Sequence, residues 1–444
     1  MNSGKNFFSS RRKGLWQGLC CIFAVLLAVS IIAATVLEAN RTAVDRFLET
    51  TSEVVESSDD GTLFSAYTPT EDVLNADGTG NSSKLILKAM DIGRRESQEG
   101  SVLLKNNGAL PLSSGNKVTL LGIRSAVPLL GSQAGVLVKD GQTIDLATAL
   151  SGSRTAFTGL ENFDFDGAGL EVNPVMLDVY NTLNQTLGLT QHDQIASAVD
   201  NVSRPFNPNE PSLNDLAAAD SDYQDSFAEY GDAAIVVVGR PSTENQDYLP
   251  GWVGESEDVK NGNSTVGSRV TDNLGAEEPL QLTRNERDII ELAKDRFDNV
   301  IVLVNTNSTM EIDALEEDPE IDSVLWIGHP GAYGMPGVGD ILVGKANPSG
   351  GLSDIYAANN LSHPAMMNMG WYRFANMSRG SNPEITRESQ YSDSYLIEAE
   401  GIYVGYRYFE TRYNDVVIQE GNAASSAGVY ESQGTWNYGD EVTY

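Results

Sequence analysis

Four short runs of Val, Ile, Leu and Ala constrain the fold of this 444-residue chain more than any other feature. They are Val118 to Ile123, Ala233 to Gly239, Val300 to Asn305 and Ser323 to Ile327. The runs have almost no polar alternation, which is typical of strands that are covered on both faces. Such strands occur in mainly parallel sheets, whose crossover connections place helices on both sides. The runs therefore predict an α/β fold, a mainly parallel sheet flanked by helices in a three-layer α/β sandwich.

Two helices are predicted beside these strands. Thr283 and Glu286 match the capping box, in which each side chain satisfies a backbone amide at the start of a helix. The apolar residues that follow form one stripe at helical spacing: Ile289, Ile290, Ala293 and Phe297. A later segment, Gly337 to Gly344, predicts a second helix that ends at a glycine.

The N-terminal region contains an uncharged apolar run of 24 residues, Gly14 to Leu37. At about 1.5 Å per residue, a helix of this length crosses a hydrocarbon layer of roughly 30 Å. Residues 1–13 before it are basic and Glu38 follows it, so the positive-inside rule puts residues 1–13 in the cytoplasm. The run predicts a single-pass transmembrane helix or signal anchor in the cell membrane, with the folded domain extracellular. The alternative is a cleaved signal peptide and a secreted protein, because Ala33 and Ala34 are small.

The composition divides the rest of the chain into three parts. Residues 38–83 begin with an amphipathic stretch and continue with a segment rich in Asp, Gly, Thr and Ser, which predicts a stalk and linker. Residues 84–360 contain the strand and helix patterns and predict the folded α/β domain. Residues 361–444 are rich in Tyr, Gly, Ser and Asn and predict a tail.

Charge and residue counts exclude several classes of function. The formal net charge of -33 makes nucleic acid an unlikely partner, because polyphosphate would be repelled. The two cysteines, Cys20 and Cys21, are adjacent within the apolar run, so neither a disulfide within the folded domain nor a four-ligand zinc site is expected. The three histidines have no metal-ligand spacing: His192, His329 and His363. We therefore predict no metal and no cofactor.

The polar segment that directly follows the second apolar run is the candidate site. It contains Arg240, Ser242, Glu244 and Asp247. Active sites in open α/β sheets gather at the carboxyl ends of strands, so a functional carboxylate is expected here. The competing interpretation is a polar surface loop, since the chain contains 62 acidic residues.

Longer blocks of sequence add a resemblance to a known family. Four blocks occur in order: Glu99 to Leu112, Leu282 to Ile290, Ile341 to Gly350 and Gly401 to Tyr408. With them, the region from about Glu96 to Tyr408 resembles the α/β-sandwich domain of glycoside hydrolase family 3. That family contains β-glucosidases, β-xylosidases and related exo-acting enzymes. The resemblance implies that the chain is part of an enzyme that hydrolyses O-glycosyl bonds in an oligosaccharide or glycoside substrate.

The same resemblance implies roles for the polar segment. Many family members carry an S-R-x-S-x-E-x-x-D loop after a strand, and its Glu is the general acid/base. Glu244 matches that position, and Arg240, Ser242 and Asp247 match positions that bind substrate or position the loop. The segment also departs from the family, since Tyr248 stands where an Arg is common. Four glutamates in the following Gly- and Asn-rich stretch are weaker rivals for the acid role: Glu255, Glu257, Glu277 and Glu278.

The resemblance also implies a missing part. Retaining hydrolysis needs two carboxylates about 5 to 5.5 Å apart, and in this family the nucleophile is an Asp on a separate (β/α)8 barrel. Such a barrel needs about 250 residues, for which this sequence has no room. We therefore expect the chain to supply the acid/base but not the nucleophile, and to be inactive by itself. It resembles members with reversed domain order, in which the sandwich precedes a bridging segment and the barrel. The alternative is a non-catalytic extracellular module that binds carbohydrate or protein.

Overall fold

The computed structural model falls into two units, Met1–Gly80 and Asn81–Tyr444. It describes residues 4–39, 74–76, 80–131, 143–157, 160–189, 208–241, 248, 279–360, 365, 372–373, 394–395, 398, 400–418 and 442–443. Most of the predicted stalk and linker, and most of the tail beyond residue 360, lie outside these residues.

The first unit contains one long helix, α1, at Gly4–Ala39. Within it, the 21 residues Leu15–Thr35 are long and apolar enough to cross a membrane, and none of them is buried. This agrees with the predicted apolar helix. A signal sequence has the same length and composition, so both interpretations of the N-terminus stay open.

A six-stranded sheet forms the centre of the second unit. Its strands are β1 (Val102–Asn106), β2 (Lys117–Leu121), β5 (Glu171–Val172), β6 (Ala233–Arg240), β7 (Val300–Thr306) and β8 (Ser323–Trp326). The spatial order is β1-β8-β7-β6-β2-β5. Neighbours from β8 to β5 are parallel, and β1 pairs antiparallel with β8. The four predicted strands are confirmed.

The remaining strands form two-stranded sheets outside this one. They are the hairpin β3 (Ser153–Phe157) with β4 (Leu160–Phe165), β9 (Tyr356–Ala357) with β12 (Val442–Thr443), and β10 (Tyr372–Arg373) with β11 (Ser394–Tyr395). The pairing of β12 with β9 brings residues 442–443 back to the region just after the main sheet.

Helices connect the strands. They are α2 (Ser82–Gly100), α3 (Ile123–Ala126), α4 (Leu146–Ser151), α5 (Pro174–Leu187), α6 (Leu213–Ala219), α7 (Arg284–Arg296), α8 (Asp313–Glu317), α9 (Met335–Leu342) and α10 (Tyr406–Ile418), with a 3-10 helix at Tyr223–Ala228. The capping box of Thr283 and Glu286 is present at the start of α7, as predicted. The helix predicted at Gly337 to Gly344 is α9, which begins two residues earlier.

Both faces of the sheet are covered, which is why the central strands are apolar without interruption. All eight residues of β6 are buried. On one face, Ile235 and Val237 pack in a cluster that includes residues of α4 and α9. On the other face, Val236 and Val238 pack in a cluster that includes residues of α5 and α7. Helix, sheet and helix thus form the three layers of an α/β sandwich.

The edge strand β1 makes the sheet mixed and not purely parallel. Sequence analysis did not predict it as a strand. Only Val102 is fully buried in it, while Leu103 and Asn106 are exposed. An edge strand has one side open to solvent, so its sequence lacks the unbroken apolar pattern that revealed the inner strands.

Candidate active site

The strand order itself indicates where a site belongs. Taken along the chain, the five parallel strands β2, β5, β6, β7 and β8 lie in the order second, first, third, fourth, fifth. In such a sheet, ligands bind in the crevice at the carboxyl ends of the first and third strands, where the order reverses. These strands are β2 and β6, and β6 ends at Arg240. The segment identified in the sequence therefore starts at this crevice.

Three of the four predicted site residues, Ser242, Glu244 and Asp247, lie outside the described residues. The four rival glutamates also lie outside: Glu255, Glu257, Glu277 and Glu278. What the structure describes is the two flanks of this region. On one side are Arg240 and Pro241, with Tyr248 seven residues further on, and on the other side the chain resumes at Pro279.

Arg240 is fully buried at the end of β6. Its Nε donates to the Pro279 carbonyl oxygen at 2.7 Å, and Nη2 donates to the Gln281 carbonyl oxygen at 2.5 Å. Nη1 donates to the Gly239 carbonyl oxygen at 2.8 Å, and both terminal nitrogens donate to the Glu286 carboxylate at 2.6 and 2.9 Å. A guanidinium has five N–H donors, so these bonds engage all of them. A contact from Arg240 to a sugar hydroxyl would have to replace one of these bonds.

Glu286 is the carboxylate that forms the ion pair with Arg240. It is 2% exposed and lies in the first turn of α7. Its Oε2 also accepts hydrogen bonds from the backbone nitrogen and the hydroxyl of Thr283, at 2.8 and 2.9 Å. One carboxylate thus caps α7 and neutralises a buried guanidinium. Through it, the end of β6 is joined to the start of α7.

Tyr248 makes a hydrogen bond back to the residue that follows β6. Its hydroxyl donates to the Pro241 carbonyl oxygen at 2.5 Å, which joins the described residues on either side of positions 242–247. Burial raises the pKa of Tyr248, so the hydroxyl stays protonated and remains a donor at neutral pH. At this position the chain has a neutral donor to the backbone.

Hydrogen bonds of the Asn305 side chain and a close backbone approach at Gly122 hold the ends of neighbouring strands together beneath the crevice. Asn305, at the end of β7, accepts from the Leu129 nitrogen at 2.7 Å and donates to the carbonyl oxygens of Leu129 and Gly328. Gly122, directly after β2, has a φ of 86°. A Cβ on it would lie 2.5 Å from the Val237 carbonyl oxygen of β6. The turn after β2 can therefore approach β6 only with glycine at this position.

Two further titratable groups lie near the crevice, and sequence analysis did not identify either as part of the site. Glu210 accepts from the Ile123 nitrogen at 2.8 Å, and burial raises its pKa to about 8, so it holds a proton at neutral pH. The charge of Glu286 adds to this shift, while the Ile123 hydrogen bond and Arg124 oppose it. Burial lowers the pKa of His329 to about 4, so its ring is neutral.

The ring of His329 contacts the last residue of β6. Its Nε2 lies 3.4 Å from the Arg240 carbonyl oxygen, a distance at which a protonated Nε2 can donate. Its backbone nitrogen donates to Asn307 Oδ1 at 3.1 Å, which fixes the turn after β8. No spacing in the sequence marks His329 or Glu210 for these places, because their partners come from distant segments of the chain. Among the described residues, no group of three His, Cys, Asp or Glu side chains could hold a metal ion.

Comparisons with known proteins identify relatives of this chain. Residues 101–406 match the family described as "Glycosyl hydrolase family 3 C-terminal domain". Beta-glucosidase A of Butyrivibrio fibrisolvens is 28% identical over 332 residues, covering 73% of this chain and 33% of that protein. A beta-glucosidase of Ruminococcus albus is 25% identical over 319 residues, covering 72% of this chain and 26% of that protein.

Among solved structures, this chain is similar to beta-glucosidase 3B from Thermotoga neapolitana in complex with alpha-D-glucose. The identity is 20% and the TM-score is 0.48, with 76% of this chain and 37% of that chain covered. The chain thus spans about a third or less of the length of the curated relatives it matches. The family match covers more than half of the chain and includes the central sheet and both flanks of the candidate loop. The chain therefore belongs to glycoside hydrolase family 3, and residues 101–406 are its C-terminal-type domain.

Proposed function

We propose that this chain is part of an exo-acting glycoside hydrolase of the β-glucosidase or β-xylosidase type, and that Glu244 is its general acid/base. One observation carries the proposal. The strand β6 ends at Arg240 in the crevice where the strand order reverses, four residues before Glu244, and the family match includes this segment. The beta-glucosidases among the relatives support the substrate class.

The proposed chemistry has two steps. In the first, the Glu244 carboxyl gives its proton to the glycosidic oxygen while a nucleophilic carboxylate attacks the sugar from the other side. In the second, the Glu244 carboxylate takes a proton from water, which then hydrolyses the glycosyl-enzyme intermediate. Ser242 and Asp247 bind substrate or position the loop. For Arg240 we propose loop positioning, because its five donors already bind protein acceptors.

We propose that an Asp on a (β/α)8 barrel supplies the nucleophile. The length of the relatives supports this, since the matched region covers only 33% of the Butyrivibrio fibrisolvens protein. The 444-residue chain by itself is then expected to show no turnover. For the same reason, the sugar and the linkage that are preferred would depend mainly on the barrel.

For location, we propose a single-pass protein of the cell membrane with the glycosidase domain outside. The 21-residue span Leu15–Thr35 supports it. Treatment of intact cells with protease should digest the domain, and the protein should resist extraction from membranes by alkaline carbonate. Recovery of a shortened, freely soluble protein from the medium would support the signal-peptide alternative instead.

The acid/base role can be tested in the complete polypeptide encoded by the gene, with aryl β-glucosides as substrates. Glu244→Ala should lower turnover by about 100-fold to 10,000-fold, the usual contribution of a general acid or base. Azide should partly restore turnover of substrates with good leaving groups, because they need no proton. Unchanged turnover would refute the role of Glu244.

Reading the coding sequence past Tyr444 tests whether the gene also encodes a barrel that carries the nucleophile. We expect a barrel-like region with a candidate Asp. A stop codon directly after Tyr444, together with binding of sugar or protein and no hydrolysis, would favour the non-catalytic module.

A further inference from the structure

Both flanks of the candidate loop converge on Glu286. Arg240, at the end of β6, donates two hydrogen bonds to its carboxylate, and Thr283, before α7, donates two more. Arg240 also binds the carbonyl oxygens of Pro279 and Gln281. The chain that leaves β6 and the chain that returns to α7 therefore meet at one guanidinium, whose counter-charge is Glu286.

The charges around this pair make Glu286 hard to replace. A guanidinium is a cation in proteins, so the fully buried Arg240 needs a buried anion. Glu210 is the other buried acid whose charge is coupled to Glu286. In the folded protein its pKa is raised to about 8 by burial and by the charge of Glu286. Glu210 accepts a hydrogen bond from the Ile123 nitrogen, whereas Glu286 accepts two from Arg240. The position of Arg240 therefore depends on Glu286.

We infer that Glu286 is a positioning residue for the acid/base loop: it holds Arg240, and Arg240 holds the two flanks between which Glu244 lies. This inference rests on the proposed function of Glu244. Glu286 is buried and acts through Arg240, so it need not contact the substrate. Its loss would displace the acid without removing it.

Displacement of a general acid has a recognisable kinetic signature. A leaving group that is a strong base needs the proton, whereas one that is a weak base departs without it. A misplacement of about 1 Å can lower a rate by about 100-fold. The loss should therefore be large for phenyl β-glucoside and small for 2,4-dinitrophenyl β-glucoside. A variant that is merely less well folded loses the same fraction of activity on both substrates.

The experiment uses Glu286→Gln in the complete polypeptide. The amide can still cap α7, but it cannot neutralise Arg240. The values of kcat/KM for the two glucosides are measured on one preparation, so that their ratio is independent of the folded fraction. We expect the phenyl to dinitrophenyl ratio to fall by about 10-fold or more.

A second ion pair in the same domain, whose acid is buried, provides the matched control. Asp340 of α9 is 2% exposed and receives Arg94 of α2, between two helices and not at the loop. Asp340→Asn should leave the ratio unchanged. An equal fall in the ratio for Asp340→Asn and Glu286→Gln would overturn the inference, because it would then reflect general damage to the domain.

Glu244→Gln separates this inference from the proposed function. If Glu244→Gln leaves the ratio unchanged, the proposed acid role fails. If Glu244→Gln lowers the ratio and Glu286→Gln does not, the positioning role fails and the acid role stands. Should Glu286→Gln not fold, Arg240→Lys serves instead, because it keeps the charge and loses the forked contacts to Pro279 and Gln281. The same fall is expected, and an unchanged ratio in Arg240→Lys would contradict the inference.

Discussion

Two ion pairs, each between an arginine and a buried acid, differ in what they hold together. Arg240 and Glu286 lie at the carboxyl edge of the sheet and join a strand end to a helix start. Arg94 and Asp340 join two helices, α2 and α9. In both pairs, two guanidinium nitrogens donate to the two oxygens of the carboxylate. The two pairs therefore have the same hydrogen-bonding pattern. Their positions in the fold decide whether a pair joins a strand end to a helix start or joins two packed helices.

Exposure is the second difference between the pairs. The side chain of Arg94 is 35% exposed, so water can reach it, and Gln98 adds a hydrogen bond to Asp340 at 2.6 Å. The side chain of Arg240 is 0% exposed, and its remaining donors bind backbone carbonyls. Loss of the acid would therefore leave Arg94 partly hydrated but leave Arg240 as a bare buried charge.

The largest expected effect is on stability, and it tests the difference in exposure between the two pairs. Glu286→Ala should lower the free energy of unfolding by about 3–5 kcal/mol, because it leaves Arg240 buried without a counter-charge and removes a helix cap. Asp340→Ala should lower it by less, because Arg94 can turn to solvent. Urea unfolding, followed by circular dichroism, measures both variants. Equal losses would show that exposure does not separate the two pairs.

A smaller effect concerns pH at the carboxyl edge. The folded pKa of Glu210 is about 8, above its ordinary value of 4.5, so the folded state binds more protons than the unfolded state between these values. The contribution of Glu210 to stability is therefore complete below pH 4.5 and is lost as the pH rises toward 8. In Glu210→Gln this loss is absent. We expect the stability of the variant, relative to the natural protein, to rise by about 1.4 kcal/mol per pH unit in this window.

Unfolding by urea at several pH values between 5 and 8 checks this slope. His329 and the other groups titrate in both proteins, so the difference between the two curves isolates Glu210. A difference that does not change with pH would mean that Glu210 is ionised in the folded state.

The smallest effect extends the comparison to an exposed pair. Arg95 and Asp91 lie one turn apart on α2, with side chains 59% and 70% exposed. Asp91→Asn should change the free energy of unfolding by less than about 0.5 kcal/mol, since exposed pairs are solvated and screened by salt. A loss close to that of Asp340→Ala would show that burial is not what distinguishes the strong pairs from the weak one.

The inner part of the fold was predictable because its signals are local. The strand β6 is buried along its whole length, and its unbroken run of apolar residues reports this directly. The capping box of α7 depends on two residues three positions apart. By contrast, β1 was missed because only one of its five residues is buried, and β5 has only two residues, too few for any periodic pattern.

The candidate site was predictable in position but not in its internal contacts. Arg240 was identified because it comes directly after the predicted apolar run and matches the family loop; in the structure it is the last residue of β6. Its partner Glu286 lies 46 residues further along the chain and was identified only as a helix cap. Glu210 carried no signal, because its raised pKa comes from burial among residues that are distant in the sequence.

By itself, the sequence determined the α/β class, the apolar N-terminal helix, the helix cap at Thr283 and the polar segment that begins at Arg240. These are properties of short stretches, in which spacing and residue type report burial and capping directly. The tertiary structure alone decided the order of the strands, the mixed edge, and the pairing of Arg240 with Glu286. Partner choice and desolvation depend on segments that meet only after folding, and no local pattern contains that information.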